Sequence, residues 1–280
     1  PDHGQSHDAI LPVPPMSPRP VPRWLPALGL AFVLPQAAVA ADWSGAVTLV
    51  GLWGPEYQGA RDAGFSARPG FFVRYGRVSL SSGGGFAARR EDAELRGLGI
   101  ELAHDDRFDL SLGLRTDGGR SESDSPGLAG MGDVKRTLRA RIGGTWRFAP
   151  GWQLSGNWTV DAFNRGGGNL ADLKLQHDWQ LTPQLSLSSS AAVSVGGDRY
   201  MQTWFGVTAE QSARSGYAEY DPRLGLRDLS LAMSLKAEVG HHWVFIGGPG
   251  LTWMLGPAAK SPLVQRRLNW SASAGVGYRF

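Results

Sequence analysis

The sequence predicts an all-β chain: a transmembrane, antiparallel, up-and-down β-barrel of about twelve strands, with ten as the alternative count. Three observations lead there. Apolar and polar residues alternate at every second position along most of the chain, short and long connections alternate between those segments, and an export segment precedes them. Composition agrees. Of 280 residues, 39 are glycine and 11 tryptophan, cysteine is absent, and 19% are charged, against roughly 25% in an average soluble domain. Without cysteine there is no disulfide scaffold, thiolate metal site or cysteine nucleophile. A formal charge of +3, evenly spread, gives nucleic acid nothing to bind. No apolar run in the body of the chain reaches the roughly 18 residues of a membrane-spanning helix.

Taken in order, the first element serves export. Arg19 and Arg23 precede an apolar stretch, 24–34, that leads to Ala38-Val39-Ala40. A basic start, a short apolar core and an A-x-A site read as a secretory signal peptide. Residues 1–40 are therefore expected to be an N-terminal extension plus signal peptide, with Met16 as the start and cleavage after Ala40. Residues 41–280 are expected to be the barrel. A short buried helix is the competing reading of the apolar stretch, and Pro26 and Pro35 argue against it.

The strands follow from period-two patterning, because successive side chains on a strand point to opposite faces. Phe108, Leu110, Leu112 and Leu114 oppose Asp109, Ser111 and Arg115. Leu138, Ala140, Ile142 and Trp146 oppose Thr137, Arg139, Arg141 and Arg147. Trp152, Leu154, Trp158 and Val160 oppose Gln153, Ser155, Asn157, Thr159 and Asp161. Leu173, Leu175, His177, Trp179 and Leu181 oppose Asp172, Lys174, Gln176 and Asp178. Leu229, Leu231, Met233 and Leu235 oppose Asp228, Ser230, Ser234, Lys236 and Glu238. From Leu268 to Phe280 the even positions are apolar and the odd ones polar or glycine. The stretch 71–90 is the hardest to divide into strands.

Short turns are expected at His104-Asp105-Asp106-Arg107, Ala149-Pro150-Gly151, Thr182-Pro183-Gln184 and Gly240-His241-His242. Long polar connections are expected at 55–66, 116–133, 164–169, 197–223 and 256–266. Short turns at one end and long loops at the other are the habit of outer-membrane barrels. A soluble β-sandwich or lipocalin-like barrel also alternates. Aromatic residues near strand ends, among them Trp43, Trp53, Trp146, Phe148, Trp152, Trp179, Trp243, Trp253 and Tyr278, instead suggest girdles at two membrane interfaces. The chain ends on Tyr278-Arg279-Phe280 in mid-alternation. Outer-membrane barrels resemble this, closing on a terminal phenylalanine that the barrel-assembly machinery reads, so Tyr278 and Phe280 are the expected assembly signal. The expected location is the outer membrane of a Gram-negative envelope, with outer-membrane lipid as a partner.

Chemistry finds little support. His104, His241 and His242 fall in expected turns, and adjacent histidines on a strand or turn point apart, so one ion cannot easily take both. No Gly-x-Ser-x-Gly elbow is present. Gly83-Gly84-Gly85 and Gly166-Gly167-Gly168 lack the strand-to-helix setting of a phosphate loop. The expectation is a non-enzymatic chain with no cofactor, no metal and no catalytic residue. The inward face would carry Arg139, Arg141, Lys174, Lys236, Asp161 and Asp172. These charges either cross-link a narrow lumen and close it or line a small pore. The connection 197–223 is long enough to fold inward as a plug.

A resemblance enters at that connection. Gly196-Gly197-Asp198-Arg199-Tyr200, Trp204-Phe205-Gly206-Val207-Thr208, and Gln211-Ser212-Ala213-Arg214-Ser215-Gly216-Tyr217 with Tyr220 resemble the hallmark of the MipA/OmpV family of outer-membrane proteins. Tyr200, Phe205, Gly206, Thr208, Ser212, Ser215 and Gly216 are its signature positions here. Pro55-Glu56-Tyr57-Gln58-Gly59, Gly130-Met131-Gly132-Asp133 and Ser261-Pro262-Leu263-Val264 are similar in family order. The family often has a second Tyr or Phe where Met201 stands and an acidic residue where Lys260 stands. The resemblance implies a scaffold that brings a lytic murein transglycosylase together with a penicillin-binding synthase at the cell wall. A small-solute channel or a surface-exposed receptor or adhesin is the alternative. The signature itself falls in a long loop, away from the short turns a murein partner would meet.

Overall fold

The computed structural model describes residues 43–82 and 97–280. The expected signal peptide, and residues 83–90 of the stretch that was hardest to divide, lie outside the described residues. Twelve antiparallel strands close into a barrel, each hydrogen-bonded to its sequence neighbours. They are β1 (Trp43–Pro55), β2 (Ala63–Tyr75), β3 (Val78–Ser81), β4 (Gly97–His104), β5 (Phe108–Asp117) and β6 (Thr137–Ala149), then β7 (Trp152–Asp161), β8 (Asn169–Thr182), β9 (Leu185–Gly196), β10 (Gly225–Val239), β11 (Trp243–Met254) and β12 (Leu268–Arg279). The count is twelve, not ten. Closure is made by β1 on β12, in register from Ala46↔Arg279 to Trp53↔Ala272, so neither terminal strand leaves an open edge to lipid.

The alternation sets each face as expected. Val47, Leu49, Ile142, Trp158, Leu173, Leu231 and Trp270 are exposed on the outer wall, while Arg139, Ser155, Thr159 and Asp228 are buried inside. Rings gather toward the ends of the outer wall. At the short-turn end Trp146, Phe148, Trp152, His177 and Trp179 follow one another at centroid spacings of 5.4, 6.3, 4.4 and 4.2 Å. Trp43 meets Tyr75 at 4.7 Å, and Trp243 meets Tyr278 at 5.2 Å. Such bands mark the membrane interface.

Two connections differ most from expectation. The connection read as 55–66 is shorter, because β1 and β2 stay paired up to Pro55↔Ala63. Gly64, Ser66, Pro69 and Gly70 break the apolar rhythm there without breaking the ladder. The connection read as 116–133 starts after Asp117 and runs to the residue before Thr137. In the stretch 71–90, β2 ends at Tyr75, Gly76 takes the turn with φ of 55°, and β3 returns over four residues.

Candidate functional site: a capped mouth above a polar lumen

The apolar core of this chain sits at the loop end of the barrel. In the connection from β9 to β10, Asp198–Phe205 forms helix α1 and Ala209–Ser215 forms helix α2. Tyr200, Met201 and Phe205 of α1 are buried with Leu170, Met254 and Ala258. Val207 packs with Met131 and Leu263, and Tyr57 and Ala60 with Leu128. Four long loops thus contribute to one cap.

Polar contacts tie the same four loops. The Tyr57 hydroxyl donates to the Leu263 carbonyl at 3.0 Å, and Ser261 Oγ donates to the Phe205 carbonyl at 2.6 Å. Gln211 Nε2 reaches the Met131 carbonyl at 2.7 Å, and Arg214 Nε the Gly130 carbonyl at 3.1 Å. Tyr217 Oη donates to the Gly127 carbonyl and Tyr220 Oη to the Pro257 carbonyl, at 3.1 and 2.8 Å. Burial pushes the Tyr57 phenol from 10.0 up to about 12.

Every signature position has a place in this cap. Thr208 caps α2, its hydroxyl accepting from Gln211 N at 3.3 Å while Gln211 Oε1 accepts from Thr208 N at 2.9 Å, a reciprocal capping box. Gly216 ends α2 in the left-handed region at φ of 77°, where only glycine is free of penalty. Ser212 Oγ donates to the Tyr217 carbonyl at 2.6 Å, and Ser215 Oγ to the Gln211 carbonyl at 2.7 Å. Gly206 is buried, and a Cβ there would run into Gln202.

Under the cap lies a layer of arginines that sequence reading only partly anticipated. Arg139 is 1% exposed, with Nε on Asp117 Oδ2 at 2.6 Å and Nη2 on the Gly167 carbonyl at 2.9 Å. Arg227 pairs with Asp228, and its Nη1 and Nη2 donate to Tyr200 Oη at 2.9 Å and Ser194 Oγ at 3.0 Å. Arg139 and Arg227 flank the Tyr200 ring at 5.5 and 5.8 Å, while Arg120 lies 5.7 Å from the Trp204 ring and donates to its carbonyl at 3.0 Å. Burial lowers the pKa of Arg120. Tyr200 and Trp204, one turn apart on α1, are therefore clamped by three cations. Trp204, Arg120 and Arg227 were missed as site residues. Their one sequence signal was the four-residue spacing of two aromatics within the signature.

Several other lumen charges pair along the barrel wall. Asp161 accepts from Thr137 Oγ1 and from Gly167 N at 2.8 Å, and Asp172 from Ser194 Oγ at 2.6 Å. Lys236 and Arg279 both pair with Glu238, at 2.7 and 2.8 Å. Arg74 pairs with Glu101 at 2.6 Å, and Arg147 with Asp109. These pairs join one strand to itself or to a strand one or two places away, because register fixes which inward side chains are within reach. Arg141 is buried, and Lys174 is half-buried on the same wall. The facing wall is small-chained: Ser188, Ser190, Ala232, Ser234, Gly248 and Ser273 point inward, and Ala232 and Ser273 are exposed. Tyr278 lies on the outer wall, stacked on His242 at 5.1 Å, and Phe280 exchanges backbone hydrogen bonds with Gly45 at 3.1 and 3.3 Å.

The family model described as MltA-interacting protein MipA matches residues 47–280. The chain belongs to the MipA family. Among curated relatives, the protein described as "Putative outer membrane protein YiaT" of Escherichia coli (strain K12) is 23% identical over 147 residues, which are 52% of this chain and 59% of the relative. The chain thus spans about three fifths of the length of the curated relatives it matches. Solved structures with a similar course include an outer membrane channel from Pseudomonas putida F1, with TM-score 0.47, 9% identity and coverage of 87% of this chain and 97% of that one. The translocator domain of the autotransporter NalP from Neisseria meningitidis gives TM-score 0.40, 13% identity, and 85% and 88% coverage. This MipA-family protein is an outer-membrane β-barrel. Its short turns lie at one end of the barrel and its cap at the other.

Proposed function

We propose that this MipA-family barrel is a non-enzymatic, capped membrane platform whose periplasmic turn end serves as a scaffold for cell-wall machinery. A lytic murein transglycosylase, the kind of partner the family description names, and a penicillin-binding synthase are the partners in this reading. The observation that carries it is the cap. The signature residues are spent on packing four loops over the mouth, and the turn end is the face offered to soluble partners. A standard interface needs about 800 Å² per partner. The turns after β2, β4, β6, β8 and β10 would have to supply it together. Cross-linking in cells from cysteines placed at Asp106, Pro183 and His241, each in a different short turn, tests this. Murein hydrolase or synthase adducts at two or more of the three support it, and their absence at all three refutes it.

A channel is the second reading, favoured by the exposed inward Ala232 and Ser273 beside a wall that carries charges of both signs. Bilayer conductance of the intact barrel, set beside a variant lacking 203–220, separates the two. Steps from the intact protein favour transport. Silence from the intact protein with steps from the variant identifies a plugged barrel and leaves the scaffold reading ahead.

A further inference from the structure

The cap end of the barrel carries a cluster of cations that neither a scaffold nor a pore requires. Arg136 precedes β6, Arg165 lies in the β7–β8 loop, and Arg199 is in the first turn of α1; all three are exposed. Hydrogen bonds gather them. Arg165 Nη1 donates to the Arg136 carbonyl at 3.3 Å, and Arg199 Nη1 donates to Asn164 Oδ1, next to Arg165 in the chain. Asn164 sits in the left-handed region at φ of 53°, the one non-glycine so placed among the described residues. Backbone strain of this kind collects at ligand clamps, and here it aims the amide that holds Arg199. Thr203 Oγ1 donates to the Gly166 carbonyl and fastens α1 to the same loop.

The cluster lacks an anion of its own. Among the described residues no carboxylate pairs with any of the three arginines. The nearby acids are engaged elsewhere. Asp161 accepts from Thr137 Oγ1 and from the Phe163 and Gly167 amides, and Asp198 accepts from the Leu224 amide at 2.6 Å. Like charges held side by side repel, and guanidinium forks fit phosphate oxygens. Position then selects the occupant. Leu138, Ala140 and Ile142 lie on the outward line of β6, and Arg136 is the next residue along it. The Ala162 amide donates to the Leu138 carbonyl at 2.8 Å, so Phe163 follows at the same level. Phe163 is 61% exposed, with the Arg165 guanidinium 5.6 Å from its ring. A ring and cations just beyond an apolar band stand where lipid headgroups stand.

We propose that Arg136, Arg165 and Arg199 form a binding site for the phosphorylated headgroup of a membrane lipid in the leaflet at the cap end, with Phe163 against the top of its acyl chain. Because the chain has no cysteine, a fluorophore can be placed at Ala162→Cys, beside the cluster. Leu268→Cys, at the start of β12 on the opposite side of the barrel, is the control. The barrel in phosphatidylcholine nanodiscs is titrated with phosphatidic acid or with further phosphatidylcholine, each carrying a nitroxide at the headgroup end of its acyl chain.

Saturable quenching by phosphatidic acid at Ala162→Cys, absent at Leu268→Cys, is the expected result. Adding Arg165→Gln or Arg199→Gln should weaken it about fivefold each, as loss of one interfacial cation does. Arg266→Gln, in the β11–β12 connection on the opposite rim, should leave it unchanged. The mobility of unheated samples confirms that each variant is folded. Equal quenching by the two lipids would reduce the cluster to ordinary lipid contact and overturn the site. A loss in Arg266→Gln as large as in Arg165→Gln would replace the site with diffuse attraction by the whole rim. Displacement of the labelled phosphatidic acid by excess inorganic phosphate would give the cluster to free phosphate in place of a lipid.

Discussion

Arg139 shows what a buried charge does in this barrel. It is 1% exposed and rests on the partly buried Asp117, so removing it leaves that carboxylate without its cation. Arg139→Met should therefore cost about 3–5 kcal/mol, whereas Arg139→Met with Asp117→Leu should cost clearly less, because a broken buried pair is worse than an apolar replacement. Urea unfolding of the four forms in lipid measures the difference, and equal losses in the single and double variants would contradict the pairing. Tyr57 gives a pH signature at the same scale. Its folded pKa of about 12 lies above its ordinary 10.0, so the folded state holds the phenol proton more tightly than the unfolded one. Its contribution is complete below pH 10 and is lost as pH rises toward 12. Thermal unfolding between those values should show a steeper decline for the native chain than for Tyr57→Phe.

Among elements, the cap depends on where glycine is used. Gly216 and Gly168 both have positive φ, 77° and 59°, yet their surroundings differ. Nothing lies within 4 Å of a Cβ at Gly216, whereas a Cβ at Gly168 would run into the Tyr200 backbone nitrogen. Gly216→Ala should cost only the backbone term, about 1–2 kcal/mol, and fray the end of α2. Gly168→Ala should in addition push α1 out of the mouth. Limited proteolysis reads this as new cleavage within 197–224 for Gly168→Ala, with the barrel fragments still folded; equal protection of both variants would argue against the contact. α2 has seven residues, too few to stand alone in water. It depends on its capping box and on the loops beneath it.

Across the whole molecule the decisive event is closure. β1 and β12, at opposite ends of the described barrel, form a ladder of eight register pairs that ends beside the Gly45–Phe280 hydrogen bonds. Such a long-range ladder forms late, since its loop-closure entropy must be met before its contacts form. Deleting Phe280 should slow assembly and lower the yield of folded barrel in the outer membrane, read by the mobility shift of unheated samples. Normal assembly kinetics without it would show that closure does not use that contact.

The strands were legible residue by residue because a lipid-facing wall and a wet lumen impose opposite demands on neighbouring side chains. Leu173 must be apolar and Lys174 need not be, so the period of two is written along the chain, and with it the face on which Arg139, Arg141 and Asp172 lie. Where glycine and proline blur that rhythm, as over Gly64 to Gly70, pairing with β1 decided the strand instead. The signature was equally visible as a motif, yet its place in the fold was not. Tyr57 and Leu263 stand more than two hundred positions apart and share no periodicity. Only the closed barrel brings their loops over one mouth, where shape and hydrogen-bond geometry choose the neighbours. Likewise, Asp117 as the partner of Arg139 and Trp204 as the platform for Arg120 follow from register and packing. Those depend on distance in space, and sequence patterning records only distance along the chain.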